Sequence, residues 1–108
     1  MGAGIAGVDV GARLGMHCPG TAWAVLESRD AVGGTWDLFR YPGIRSDSDM
    51  YTLGLPFRPW RGEASLASGE QIRQYVQDTA REFGVTERIH HGQRVEPLDW
   101  CSADARWT

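Results

Sequence analysis

An α/β fold is what this sequence predicts, and three stretches predict it. Gly2-Ala3-Gly4-Ile5-Ala6-Gly7 has the form GxGxxG and opens a helical pattern. Ala22-Trp23-Ala24-Val25-Leu26 is a short apolar run ending at Glu27, which reads as a buried strand. Ser68 to Phe83 carries apolar residues at helical spacing. Glycine loop, helix and strand in that order make a βαβ-type unit that binds a dinucleotide. Such a unit is expected to begin with a strand before the first glycine, but only Met1 precedes Gly2. The expectation is therefore a partial unit without its first strand, followed by a helix and a short β-hairpin. The chain is expected to be either a fragment or a late-started version of a longer one.

Each element follows from local chemistry. Gly2 supplies the tight turn, Gly4 the close approach of a pyrophosphate, and Gly7 close helix packing. The helix is predicted over 4–16, with Ile5, Val8, Ala12 and Met16 on the face toward a sheet. Its first-turn amides and dipole favour an anion. His17-Cys18-Pro19-Gly20 forms a turn. Glu27 falls twenty residues after Gly7, where such a unit places the carboxylate that holds ribose hydroxyls.

The middle of the chain, Gly33 to Tyr51, has the densest chemistry. Gly33-Gly34 permits close backbone approach, and Pro42-Gly43 forces a turn. Trp36, Phe39 and Tyr41 add flat rings, Arg40 and Arg45 add planar cations, and Asp47 and Asp49 add carboxylates. Small residues, rings and charges in one stretch suit a large planar cofactor. From Leu53 to Ser68, prolines and Gly62 break any helix, and Phe57 and Trp60 are expected to anchor the loop on the core. Ser68 and Gln71 form a capping box. The helix after it buries Ile72, Tyr75, Val76, Thr79, Ala80 and Phe83 and stops at Gly84, with Arg73, Asp78, Arg81 and Glu82 on a solvated face. Ile89 to Trp100 reads as one or two strands, with Pro97 at an edge. Ser102 to Ala105 turns into a last strand from Arg106. His90 and His91, adjacent in a strand, point to opposite faces and read as surface residues.

Composition bounds the function. In 108 residues the net charge is −3, which offers no attraction to nucleic acid or an anionic membrane surface. No apolar run is long enough to span a bilayer and no signal peptide opens the chain, so a cytoplasmic protein is expected. Cys18 and Cys101 are far apart and expected to stay reduced. The three histidines lack ligand spacing, and no metal site is expected.

ESRDAVGGTW followed by RYPGIRSDSDMY resembles the N-terminal FAD-binding segment of flavin-dependent monooxygenases, the Baeyer–Villiger type in particular. The resemblance runs from Gly2 to Thr108, and places residues 1–108 in a single FAD/NAD(P)-binding domain of Rossmann-like fold. It implies that Gly2, Gly4 and Gly7 hold the FAD pyrophosphate, Glu27 the adenosine ribose, and that Arg29 lies where it can cover the adenine. Gly34, Thr35 and Trp36 would run beside the flavin, with Trp36 alternatively a core residue. Asp47 would stand near the flavin ring and orient a catalytic arginine from later in the chain, or else cap the next turn; Asp49 and Tyr51 are adjacent. The activity implied is oxygenation of a small molecule by O2 through a flavin peroxide. NADPH supplies the hydride, at a site outside these residues. Ketones would become esters or lactones, or sulfur and nitrogen would be oxygenated. Two alternatives stand beside it: a cofactor-binding module without catalysis, and another FAD-dependent oxidoreductase.

Overall fold

The longest helices form where the sequence pattern is strongest. A computed structural model describes residues 1–108. In it, α1 spans Ile5–His17 and α4 spans Gly69–Glu82. Between them lie strand β1 (Val25–Leu26) and two single-turn helices, α2 (Thr35–Leu38) and α3 (Met50–Leu53). A 3-10 turn at Thr86–Arg88 leads into β2 (Ile89–His90), and β3 (Trp100–Cys101) and β4 (Arg106–Trp107) close the chain.

Helix α4 has the predicted capping box. The Gln71 N–H donates to Ser68 Oγ (3.3 Å), and the Ser68 N–H donates to Gln71 Oε1 (2.9 Å). Ile72, Tyr75, Val76, Thr79 and Ala80 are buried as expected, and Gly84 ends the helix at φ +65°. Helix α1 buries Gly7, Val8, Gly11 and Ala12, while Met16, expected on that face, is 40% exposed. The small residues Gly11 and Ala12 let α1 sit close to the core; a Cβ on Gly11 would lie 3.0 Å from Val85 Cγ1 and 3.2 Å from Trp23 Cζ3.

The main core joins Val8 and Ala12 of α1, Val25 of β1, and Tyr75, Val76 and Ala80 of α4, closed by Leu55 and Val85. A second cluster of Met50, Ala67 and Ile72 lies under Trp36. Phe57 packs edge-on to Phe83, and Trp60 edge-on to Tyr75, as the loop-anchor expectation requires.

The strands are shorter than the sequence predicts. β1 pairs in parallel with β2 (Val25 with Ile89, Leu26 with His90), and it covers two residues instead of 22–26. Only alternate side chains of the run turn inward: Val25 is buried and Trp23 half-buried, whereas Ala22, Ala24 and Leu26 are exposed. An apolar run does not itself specify both faces covered; β1 has one strand neighbour and one covered face. Residues 91–99 are exposed and form no strand, and β3 and β4 make the predicted hairpin around the turn 102–105. The molecule measures 52 Å in its longest dimension. The radius of gyration is 15.5 Å, against about 13 Å for a compact chain of this length.

Candidate functional site

The site is assembled where the first glycine loop meets the second. Gly33 donates its N–H to the Ala3 carbonyl (2.9 Å), which stitches the two loops together. Gly4 and Gly34 face each other backbone to backbone: a Cβ built on Gly34 would lie 2.8 Å from Gly4 Cα. Gly34 also has φ +55° and caps the start of α2, so this turn needs glycine on both counts. Gly7 lets the helix pack closely on the segment that leads into it: its Cβ would lie 1.9 Å from the Gly2 carbonyl oxygen.

Glu27 sits beneath this loop and is 7% exposed. The Ala3 N–H donates to Oε2 (2.6 Å), and the Arg29 N–H donates to Oε1 (2.9 Å). The Ser28 hydroxyl donates to Oε1 as well (3.3 Å). Burial pushes the Glu27 carboxyl up, but the Arg29 and Ala3 amides, the Ser28 hydroxyl and the Arg29 charge outweigh it and hold the group below its ordinary value. Glu27 is thus an ionised acceptor fixed against the glycine loop. Helix α1 begins above it with no side-chain cap and no acidic residue in its first turn. Its first amides are therefore open to an anion.

A second carboxylate, Asp37, anchors the other loop. It is 4% exposed and gathers three arginines from three parts of the chain. Arg29 Nη2 donates to Oδ2 (2.7 Å) and Arg40 Nη2 to Oδ1 (2.6 Å), while Arg73 Nη1 lies 3.5 Å from Oδ1. Arg73 also donates to both Glu70 oxygens (2.7 and 3.1 Å), so it is not the purely solvated residue the helix pattern predicts. Arg29 is accordingly held to Asp37, and its Nη1 is buried with no hydrogen-bond partner. Sequence reasoning missed Asp37. The signal available was an acid flanked by Arg29 and by Arg40 at i+3, but Arg73 joins only through the fold.

The remaining predicted residues lie on the following stretch. Thr35 is exposed, and Trp36 is half-buried against Met50, Ala67 and Ile72, so it packs on the core. Asp47 is exposed. The cap of the next turn is Asp49 instead: it accepts from the Thr52 N–H (2.9 Å) and hydroxyl (2.8 Å), which hold its carboxyl below the usual aspartate value. Tyr51 is exposed and donates its hydroxyl to the Gly62 carbonyl (3.3 Å). A separate cleft of about 540 Å³ is lined by 57–62 together with Gln71, Gln74, Tyr75, Asp78 and Glu82 of α4. None of the sequence-predicted site residues lines it.

Comparison with known proteins gives one answer at the levels of sequence and structure, although no protein-family model matches the chain. It is 53% identical over 108 residues to MymA of Mycobacterium tuberculosis. It is 52% identical, over the same length, to the FAD-containing monooxygenase EthA of that organism. This chain is similar in sequence to part of the FAD-containing monooxygenases. Both matches cover 100% of the chain and 22% of the relative, so it spans about a fifth of the length of the curated relatives it matches. Among solved structures, an oxidised steroid monooxygenase bound to NADP superposes with a TM-score of 0.87 at 29% identity. That superposition covers 99% of this chain and 21% of the monooxygenase. The fold of this segment is therefore that of the corresponding part of a monooxygenase, hairpin arm included.

Proposed function

We propose that this chain is the FAD-binding portion of an FAD- and NADPH-dependent monooxygenase. One observation carries the assignment: two glycine loops in backbone contact, with a buried, ionised Glu27 bonded to the first of them. α1, β1 and β2 are then part of a Rossmann-like unit, and residues 1–108 belong to one FAD/NAD(P)-binding domain.

The residues present fit FAD. Gly2, Gly4 and Gly7 would hold the pyrophosphate at the start of α1, whose first turn has no side-chain cap and no acidic residue. Glu27 keeps acceptor capacity for ribose hydroxyls, because each carboxylate oxygen can accept more than one hydrogen bond. Arg29, whose backbone N–H is bonded to Glu27 and whose Nη2 is bonded to Asp37, would cover the adenosine side. Gly34 and Thr35 offer backbone and a small hydroxyl beside the ring system, and Trp36 adds an aromatic side chain. Asp47, exposed, stands ready to orient an arginine from elsewhere in the protein, with Tyr51 adjacent.

Bound FAD supplies the redox chemistry, taking a hydride from NADPH and delivering the electrons to O2. The contribution of these residues is to bind and orient that group, not to react. The substrate class is a small molecule: a ketone oxidised to an ester or lactone in the Baeyer–Villiger manner, or a sulfur or nitrogen centre oxygenated.

The test is FAD titration of the purified chain, following flavin fluorescence and the circular dichroism melt together. Saturable binding with a raised Tm is expected. A folded chain that leaves flavin fluorescence unchanged would overturn the assignment.

A further inference from the structure

Asp37 lies outside every motif used above, yet the second glycine turn is built on it. That turn needs a foundation. Gly33 has φ +140° and Gly34 φ +55°, and the helix that follows, α2, is four residues long. A single helical turn makes too few hydrogen bonds to hold itself, so contacts from elsewhere set where it stands. Asp37 supplies them. Its backbone N–H donates to the Gly34 carbonyl (3.1 Å). A Cβ on Gly33 would meet Asp37 Cβ at 2.9 Å and Arg73 Cγ at 3.2 Å, so the turn rests directly on that pair.

The Asp37 side chain ties this turn to α4. Its carboxylate is 4% exposed and lies 3.5 Å from Arg73 Nη1. Glu70, one turn earlier on α4, accepts from Arg73 Nη2 (2.7 Å) and Nε (3.1 Å) and so aims the guanidinium. Arg40 closes the clamp from the other side, through Nη2 to Asp37 Oδ1 (2.6 Å) and Nε to the Asp37 carbonyl (2.9 Å). From the same helix as Arg73, Gln77 donates to the Val32 carbonyl (3.2 Å) and fixes the approach to the turn. A buried carboxylate is costly without its cations, so Asp37 stays where Arg40 and Arg73 hold it, and Gly34 stays with it. Gly34 is the residue whose Cβ would meet Gly4 Cα at 2.8 Å. The clamp therefore sets the spacing between the two glycine loops.

We infer that Asp37 is a positioning residue for the flavin half of the cofactor: clamped by Arg40 and Arg73, it holds the Gly33–Gly34 turn at the distance from Gly4 at which the ring system is bound. The inference deepens the FAD reading and rests on it. The Asp37 carboxylate is taken up by arginines, so it acts on the cofactor through Gly34 and Thr35.

FAD carries the flavin and ADP only the nucleotide half, so the two probes together separate positioning from general support. Both Kd values are measured by calorimetry for wild type and for the Arg40→Gln, Arg73→Gln double variant, at a temperature where each is folded by circular dichroism. That variant opens the clamp and leaves the 2.7 Å bond from Arg29 to Asp37 in place. Its FAD binding is expected to weaken about tenfold, the size of one hydrogen bond lost between turn and ring, with ADP binding unchanged. Asp37→Asn is expected to weaken FAD by at least as much. A merely structural role would lower Tm while leaving both Kd values of the folded protein unchanged, or would weaken the two probes equally; either result overturns the inference. An unchanged FAD Kd for Asp37→Asn does so too. If Asp37→Asn does not fold, the double variant decides by the same difference between FAD and ADP. A wild type that binds neither probe removes the FAD site and the inference with it. A wild type that binds FAD but not ADP contradicts the division of the cradle into two halves and overturns the inference alone.

Discussion

Replacing Gly7 with alanine adds one methyl group where the structure has no room for it. The new Cβ would lie 1.9 Å from the Gly2 carbonyl oxygen and 3.1 Å from its carbonyl carbon. Both are backbone atoms, so no side chain can swing aside. Reaching 3.4 Å, the near edge of ordinary contact, requires α1 and its loop to separate by about 1.5 Å. That movement breaks the 2.6 Å bond from Ala3 to Glu27 and strains the 2.9 Å bond from Gly33 to Ala3. Overpacking of this kind costs about 1–3 kcal/mol. Losing a bond to a buried carboxylate adds about 1.5–3 kcal/mol. Alanine's helix propensity returns at most about 1 kcal/mol. The net loss is roughly 2–5 kcal/mol, a large part of the stability of a small domain. Gly15 in the same helix is the control: it is exposed, and its Cβ would find nothing nearer than Trp23 at 4.0 Å. Gly15→Ala is expected to stabilise by about 0.5–1 kcal/mol. Urea unfolding of the two variants beside wild type measures both. A Gly7→Ala chain as stable as Gly15→Ala would refute the packing argument.

Three further outcomes follow from the same contacts. Glu27 has a carboxyl held below its ordinary value of 4.5, so its contribution to stability is full above that pH and is lost as pH falls through the folded value. Thermal melts between pH 6 and 3 should show that loss in wild type and a flatter profile in Glu27→Gln; superimposable profiles would mean the Ala3 and Arg29 contacts carry no energy. Ser68→Ala removes the acceptor for the Gln71 N–H at the start of α4 and is expected to cost about 1 kcal/mol by urea melt. Gly34→Ala forces a Cβ to 2.8 Å from Gly4 Cα at φ +55°, and FAD titration should show weaker binding; unchanged affinity would place the ligand elsewhere.

What the sequence discloses, and what it conceals, divides along physical lines. Helix α4 was legible because its signals are local: Ser68 and Gln71 define the start, a 3.6-residue period defines the face, and Gly84 defines the stop. The glycine loops were legible because steric exclusion of Cβ leaves a mark in the residue type itself. The strand at 22–26 was overextended, since an apolar run reports hydrophobicity but not how many neighbours the fold provides. The cap of α3 fell on Asp49 rather than Asp47, a two-residue shift decided by which carboxylate reaches the Thr52 amide. Asp37 stayed hidden because only Arg40, at i+3, is a local partner; Arg29 and Arg73 reach it through the fold. A buried carboxylate held by three arginines has no sequence spacing of its own.

Residue-resolved NMR during FAD titration would test the cradle most directly. With the chain labelled with nitrogen-15, the amides of Gly2 to Gly7, Glu27 to Arg29, and Gly33 to Trp36 are predicted to shift most and to saturate together. Shifts centred instead on 57–62 and the α4 residues of the 540 Å³ cleft, with the glycine amides unmoved, would contradict it.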